Sequence, residues 1–458
     1  MRITLEQAAQ WCGGQVKEAH RHVIIDGACQ DTRKIQRGQL FVALQAGQRD
    51  GHDFIPAAIT AGAAAVLCSH CEADFPHILV EDTRKALGDI ARNLRMNRSM
   101  KVVGVTGSVG KSTTKEMIAT VLSTRYRVGK TPGNFNNDLG LPMAILGLPE
   151  GTEVAVLEMG MNHFGEMSYL TSIAQPNIAV ITNIGTMHME NLGSRQGILQ
   201  AKLEILEGLQ PDGKVVLNGD EPLLWGLREV LGDKVTYFGM ENRECQELAG
   251  QVEETDGGLF FRVSDNMGRF PVRMRIEGHH FVSDAMAAVT VGRMLDVDDR
   301  WIRESLATFT NMAGRQEIDE ANGNTIIQDC YTAGPESMSA ALNVLGSRSG
   351  RHIAVLGDML ELGVSAQAEH YRVGRIAATK ADMIFALGDN AERIITGAIT
   401  GGMAPERARS FTNVDTLVGT LKFRARPGDV ILFKGSRGMH MERVLEQFLQ
   451  TEKKEEAL

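Results

Sequence analysis

No apolar run in the 458-residue chain approaches the roughly 20 residues that a bilayer-spanning helix needs. The opening residues Met1-Arg2-Ile3-Thr4-Leu5-Glu6 also lack the charged-then-apolar pattern of a secretory leader. A cytoplasmic protein with no membrane partner is therefore expected. An excess of positive charge is missing too: 48 Lys and Arg against 57 Asp and Glu leave a formal net charge of -9. Nucleic-acid binders usually carry a basic patch or stripe, so no nucleic-acid partner is expected. Cysteine is sparse. The six residues at 12, 29, 68, 71, 245 and 330 are too scattered for a disulfide scaffold. Cys68-Ser69-His70-Cys71 has metal-ligand spacing, but no second Cys or His pair stands at zinc-finger distance, so ordinary free thiols are expected.

What is present is a globular composition, 43% hydrophobic and 23% charged, with 49 glycines against 12 prolines. At about 150 residues per domain the length suggests roughly three domains. Residues 1–98 read as a small α/β domain with strand-like pieces at 39–44, 64–68 and 77–80. From 99 to 312, strand, glycine-rich turn and helix alternate. The apolar runs at 102–105, 153–157, 178–182 and 214–217 have the unbroken character of strands buried on both faces. They predict a doubly wound, mostly parallel sheet, with hairpins in the alternating stretch 258–273. Residues 313–458 repeat the pattern, with strands at 325–328, 352–356, 383–387 and 430–433 and helices at 365–379 and 439–449. The expected class is α/β: a small N-terminal domain, a central phosphate-loop domain and a C-terminal Rossmann-like sheet. The charged residues 452–456 read as a frayed terminus.

The chemistry concentrates in the central segment. The strand at 102–105 leads into Thr106-Gly107-Ser108-Val109-Gly110-Lys111-Ser112 and then a helix, the context a phosphate loop requires. Backbone N–H groups at such a turn point at phosphate oxygens; Lys111 reaches the β and γ phosphates and Ser112 is placed to ligate magnesium. The generic G-x-x-x-x-G-K-[ST] pattern is not met, because Val105 holds the first glycine position. The next strand delivers Glu158 at its carboxyl end and a third leads to His188, on the same sheet edge where ligands of open α/β sheets bind. Taken singly, Glu158 reads equally as a capping acid and His188 as a loop histidine. Lys202, on a helix that Ser194 would cap, reads from pattern alone as a solvated lysine.

Assembled, these residues resemble the Mur ligase family, ATP-dependent amide-bond-forming enzymes of peptidoglycan precursor synthesis, over essentially the full length. The family's own loop is T-G-x-x-G-K-[ST], which Thr106 to Ser112 satisfies. The resemblance implies ATP and Mg2+, with the loop through Thr113 around the phosphates and Ser112, Glu158 and His188 on metal. It also implies that Lys202 is carbamylated by carbon dioxide and holds a second metal, against the solvated reading. Lys111, Glu158, His188 and Lys202 are the implied catalytic set. Arg315 and Asp329 are implied to touch phosphate and ribose. Asp284 stands where the family usually has an asparagine against the adenine, and Thr332 and Gly334 also depart from the family's D-x-Y-N-A-N-P. The segments 134–140, 158–162, 357–363 and 434–439 look like the branch that joins D-alanyl-D-alanine to the terminal carboxylate of a UDP-N-acetylmuramoyl-tripeptide through an acyl phosphate. Thr32, Arg33, Asn134, Asn137 and Asn162 are the implied substrate-binding residues, Arg33 as a diphosphate partner. A monomer is expected. Other readings stand beside this one: a sister ligase adding one amino acid to a UDP-muramoyl peptide or a folylpolyglutamate synthase, and, from a different class, a nucleotide-dependent switch that binds the precursor without turning it over.

Overall fold

The computed structural model describes residues 2–450 other than 48, 72, 73, 256, 266 and 267, so the charged stretch 452–456 lies outside the described residues. Near the N-terminus, β1 (Ala28–Cys29), β2 (Leu40–Val42), β3 (Ala65–Cys68) and β4 (His77–Leu79) form an all-parallel sheet in that order. Every residue of β2 and β3 is buried, which is why both read as short unbroken apolar runs. Helix α1 (Thr83–Met96) follows. The Asp82 carboxylate caps it by accepting from the N–H groups of Arg84 and Lys85, and Ala86, Leu87, Ile90, Ala91 and Leu94 form its buried stripe.

A nine-stranded sheet comes next. Its strands are β5 (Lys101–Thr106), β6 (Val128–Lys130), β7 (Val154–Glu158), β8 (Ile178–Ile181), β9 (Lys214–Asn218), β10 (Val235–Gly239), β11 (Glu247–Thr255), β12 (Gly258–Ser264) and β13 (Arg269–Met274), in the order β6-β7-β5-β8-β9-β10-β11-β12-β13. All neighbours are parallel through β11, and β12 and β13 close the sheet antiparallel. The chain runs outward from β5 to one side and returns to build the other, so β5 marks the topological switch point. Helices α2 (Lys111–Leu122), α3 (Gly140–Leu146), α4 (Glu166–Ala174), α5 (Arg195–Leu203) and α6 (Phe281–Met294) accompany it. On one face α2 and α6 bury Met117, Val121, Met286 and Val289 against Val103 and Val105. On the other, Ile90 and Leu94 of α1 enter the same apolar cluster as Leu141, Ile145, Leu157, Leu170 and Ile173. The N-terminal and central sheets thus share one continuous core. Buried Arg95 stitches the seam, donating to the carbonyls of Ala174 and Gln175 and to Asn177 Oδ1.

The C-terminal sheet has the order β14 (Glu317–Ala321), β15 (Asn324–Asp329), β19 (Asp429–Lys434), β16 (Arg351–Gly357), β17 (Met383–Leu387), β18 (Ala408–Phe411), parallel except for β14. Helices α7 (Pro335–Ser347), α8 (Ala366–Ala377) and α9 (Met441–Leu449) cover it. Six of these strands have no counterpart in the sequence reading: β1, β6, β10, β11, β14 and β18. β1, β6, β14 and β18 are edge strands and β11 carries polar residues on a wet face, so none of these shows the apolar run that betrays a central strand; β10, central and mostly buried, has its run broken by Thr236. No helix of the described residues is long and apolar enough to cross a membrane.

Candidate active site

The turn after β5 depends on glycine at two positions. Gly107 (φ 152°) and Gly110 (φ 82°) hold backbone conformations that side chains rarely adopt. A Cβ on Gly107 would collide with Thr182, and one on Gly110 would lie 2.5 Å from Asp284 Oδ1. The end of β8 braces the loop. Asn183 Oδ1 accepts from the N–H groups of Ser108 (3.1 Å) and Val109 (3.0 Å), Thr182 donates to the Val109 carbonyl (2.6 Å), and Ser108 Oγ accepts from Gly185 N (2.9 Å). Lys111 folds back over this ring and donates to the carbonyls of Gly107 (2.9 Å) and Ser108 (3.3 Å). Burial holds its ammonium below the ordinary lysine value, partly offset by Glu158 and reinforced by Arg315.

Strand pairing sets Glu158 opposite Val105, so its carboxylate arrives beside the loop. Oε1 accepts from Asn136 Nδ2 (2.8 Å), whereas the buried Oε2 has no hydrogen-bond partner among the described residues and stands 3.8 Å from Lys115 Nζ. Lys115, one turn beyond Lys111, is fully buried and donates to the Thr131 carbonyl (2.8 Å). Neither Lys115 nor Asn136 emerged singly from the sequence. The i, i+4 spacing of Lys111 and Lys115 was the available signal for the first.

His188 takes a left-handed conformation (φ 64°, ψ 20°) just before a helical turn. Its Nδ1 stands 3.2 Å from Glu361 Oε2 across the boundary with the C-terminal sheet, without hydrogen-bond alignment. Burial, with Lys111 and Lys202 adding their charges, pushes its pKa down to about 4. Lys202 is not solvated: it is 2% exposed, on α5, whose N-cap is Ser194 as its sequence suggested. Burial and the nearby Lys111 charge push it well below the usual lysine value.

The remaining expected residues divide. Arg315 Nη2 donates to Ser112 Oγ (2.9 Å) and its guanidinium lies over the Tyr331 ring, while Thr113 is buried on the same helical turn. Asp284 lies under the loop and accepts from Thr114 Oγ1 (2.7 Å). Asp329 is paired with buried Lys434 at 2.6 Å. Asn137 and Asn162 line a cleft of about 570 Å³ between the start of α1, the segment before α3, the loop after β7 and α4. Thr32, Arg33 and Asn134 are not among its lining residues. Exposed Arg33 is held by Asp31 in two hydrogen bonds of 2.9 and 2.8 Å.

A braced phosphate loop at the switch point, with an unsatisfied carboxylate oxygen and a deprotonation-prone lysine beside it, defines a doubly wound α/β enzyme that handles nucleotide phosphates. The chain belongs to the Mur ligase family: the models for its catalytic domain, its middle domain and its glutamate ligase domain match residues 25–95, 105–292 and 314–437. It is 39% identical to the UDP-N-acetylmuramoyl-tripeptide–D-alanyl-D-alanine ligase of Bacillus subtilis, over 98% of this chain and 99% of that one. Among solved structures it is similar to MurF from Acinetobacter baumannii, with TM-score 0.89, 32% identity and 98% and 99% of the two chains covered. It is also similar to the Thermotoga maritima MurF ligase in complex with ADP, with TM-score 0.80, 30% identity and 92% and 96% covered.

Proposed function

We infer that this chain is an ATP-dependent ligase of peptidoglycan precursor synthesis. It joins D-alanyl-D-alanine to the terminal carboxylate of a UDP-N-acetylmuramoyl-tripeptide, giving the pentapeptide, ADP and phosphate. The observation that carries the reading is the phosphate loop with Glu158 at its mouth, in a chain that aligns end to end with ligases of that name. The segments 1–98, 99–312 and 313–458 act as its three working domains, in a cytoplasmic monomer without nucleic-acid or membrane partners.

The substrate carboxylate attacks the γ-phosphorus of ATP as the bond to the ADP oxygen breaks, and the D-alanyl amine then displaces phosphate from the acyl carbon with loss of a proton. Phosphoryl transfer of this kind needs placement and charge neutralisation more than covalent help. Lys111, held in place by carbonyls that cost little to leave, swings to the phosphate oxygens; the loop N–H groups orient them. Magnesium suits the donor set, because Glu158 Oε2 is a buried oxygen without a hydrogen-bond partner among the described residues and Ser112 supplies a hydroxyl. With His188 and a carbamate on Lys202, these residues would hold the metal, whose charge relieves repulsion between two anionic reactants. The neutral amine of Lys202 is the form that adds to carbon dioxide, making an N–C bond and releasing a proton. The Lys111 charge that disfavours a second ammonium favours the resulting carboxylate. Arg315, Asp284 and Asp329 lie where the nucleotide enters, and Thr32, Arg33 and Asn134 are assigned to the UDP end.

ADP release that requires both the UDP-tripeptide and D-alanyl-D-alanine, and that falls to background in Lys111→Ala, is the expected result. Near-normal turnover by that variant, or equal turnover with single amino acids, would sink the reading.

A further inference from the structure

The cleft between the start of α1 and the loop after β7 is lined by charges of both signs, and its position says what enters it. Asn137 follows Asn136, the partner of Glu158, and Gly160 donates its N–H to the Asn136 carbonyl (2.8 Å), so one wall of the cleft is tied to the carboxylate beside the phosphate loop. The carboxylate that attacks phosphorus belongs to the third residue of the peptide. Its side chain therefore leaves the reacting centre one carbon away and has this cleft, of about 570 Å³, beside it. On the same cleft Arg84 of α1 is ion-paired with Asp138, joining the N-terminal unit to the segment before α3. Both partners remain partly open to solvent, at 47% and 36% side-chain exposure, so the pair is available to a ligand. Lys85, the other lining cation, is held away by Asp89 at 2.5 Å. Glu166 already accepts from Asn162 N at 2.7 Å.

We propose that Arg84 and Asp138 form the specificity pair for the third residue, selecting a side chain that ends in both an ammonium and a carboxylate, the diaminopimelate type, over one that ends in an ammonium alone. This rests on the ligase reading above. The argument is one of pairing. The other lining acids are engaged, Asp82 with the N–H groups of Arg84 and Lys85 and Glu166 with that of Asn162, so a side chain ending in a lone ammonium competes with Arg84 for Asp138 and leaves one cation of the two without a partner. A zwitterionic end inserts into the pair, its carboxylate on the Arg84 guanidinium and its ammonium on Asp138, so that one ion pair is exchanged for two. Arginine suits the task because its planar fork receives a carboxylate with two parallel hydrogen bonds. Asn137, Asn162 and the Tyr169 hydroxyl add neutral hydrogen-bonding capacity along the same walls.

The test measures ADP release with D-alanyl-D-alanine and two UDP-tripeptides that differ only in carrying diaminopimelate or lysine at the third position. The wild-type enzyme is expected to favour diaminopimelate by about tenfold or more in kcat/KM, and Arg84→Ala to erase that preference mainly through KM, leaving the lysine substrate within about twofold. Arg84→Lys should recover part of the preference, which a merely structural role for Arg84 would not produce. Asp138→Asn should weaken the diaminopimelate substrate more than the lysine one. Equal losses on both substrates, or a wild-type preference for lysine, overturn the proposal. Failure of the wild-type enzyme to release ADP with either tripeptide strikes the ligase reading itself, whereas turnover of both at one ratio strikes this inference alone.

Discussion

Asp284 places a carboxyl group under a phosphate-binding loop. Burial drives its pKa up from 3.8 to about 7, although the Thr114 hydroxyl and the Arg315 charge pull the other way. A carboxyl whose folded value is raised binds more protons in the folded than in the unfolded chain between those two values. Its contribution to stability is thus favourable at low pH and is lost as pH rises from about 4 to about 7, a change on the order of a few kcal/mol at most. Asp284→Asn keeps the shape without the charge. It should raise the melting temperature at pH 8 and change it little near pH 4; a shift independent of pH would show that Asp284 does not titrate this way. The sequence revealed the residue and its departure from the family but not its neighbours, since contact between α6 and α2 spans 170 positions. Lys202 is the sharper case. Nothing in its local pattern separates it from a surface lysine, and only the packing of α5 shows that its ammonium has lost its water.

The phosphate loop was the most legible element, because its chemistry is carried by backbone and by glycine at fixed offsets. Gly110→Ala brings a Cβ to 2.5 Å from Asp284 Oδ1 at a φ of 82°. The strain should cost about 1–2 kcal/mol in stability and lower ADP affinity by about tenfold or more, both readable by calorimetry. Unchanged affinity would mean that the loop geometry is not what binds phosphate. The central strands were equally plain, their apolar runs reflecting burial on both faces. β11 was hidden for the converse reason: it reads Glu247-Leu248-Ala249-Gly250-Gln251-Val252-Glu253-Glu254-Thr255, and its outward residues are those of a loop. Lys115 was hidden because a lysine inside a helix ordinarily reaches solvent, whereas this one ends on the Thr131 carbonyl.

At the scale of the whole molecule, the C-terminal sheet meets the central one through a few polar contacts. Glu336 accepts from Thr186 N (3.1 Å) and Oγ1 (3.0 Å), Glu361 faces His188, Arg348 pairs with Glu277 at 2.5 Å, and Arg315 reaches Ser112. Boundaries of this kind open and close readily. Glu336→Ala combined with Glu361→Ala should increase the radius of gyration measured by small-angle scattering without ligands. An unchanged value would mean that the remaining contacts suffice. The other boundary behaves differently, for α1, α3 and α4 pool their apolar residues in one cluster. The first hundred residues are therefore a poor interchangeable part. A chimaera that imports another ligase's N-terminal segment must recut Ile90, Leu94, Leu141, Ile145, Leu170 and Ile173 to fit one another, so recombination is a costly way to gain new acceptor recognition here. Point changes along the cleft rim offer a far easier route.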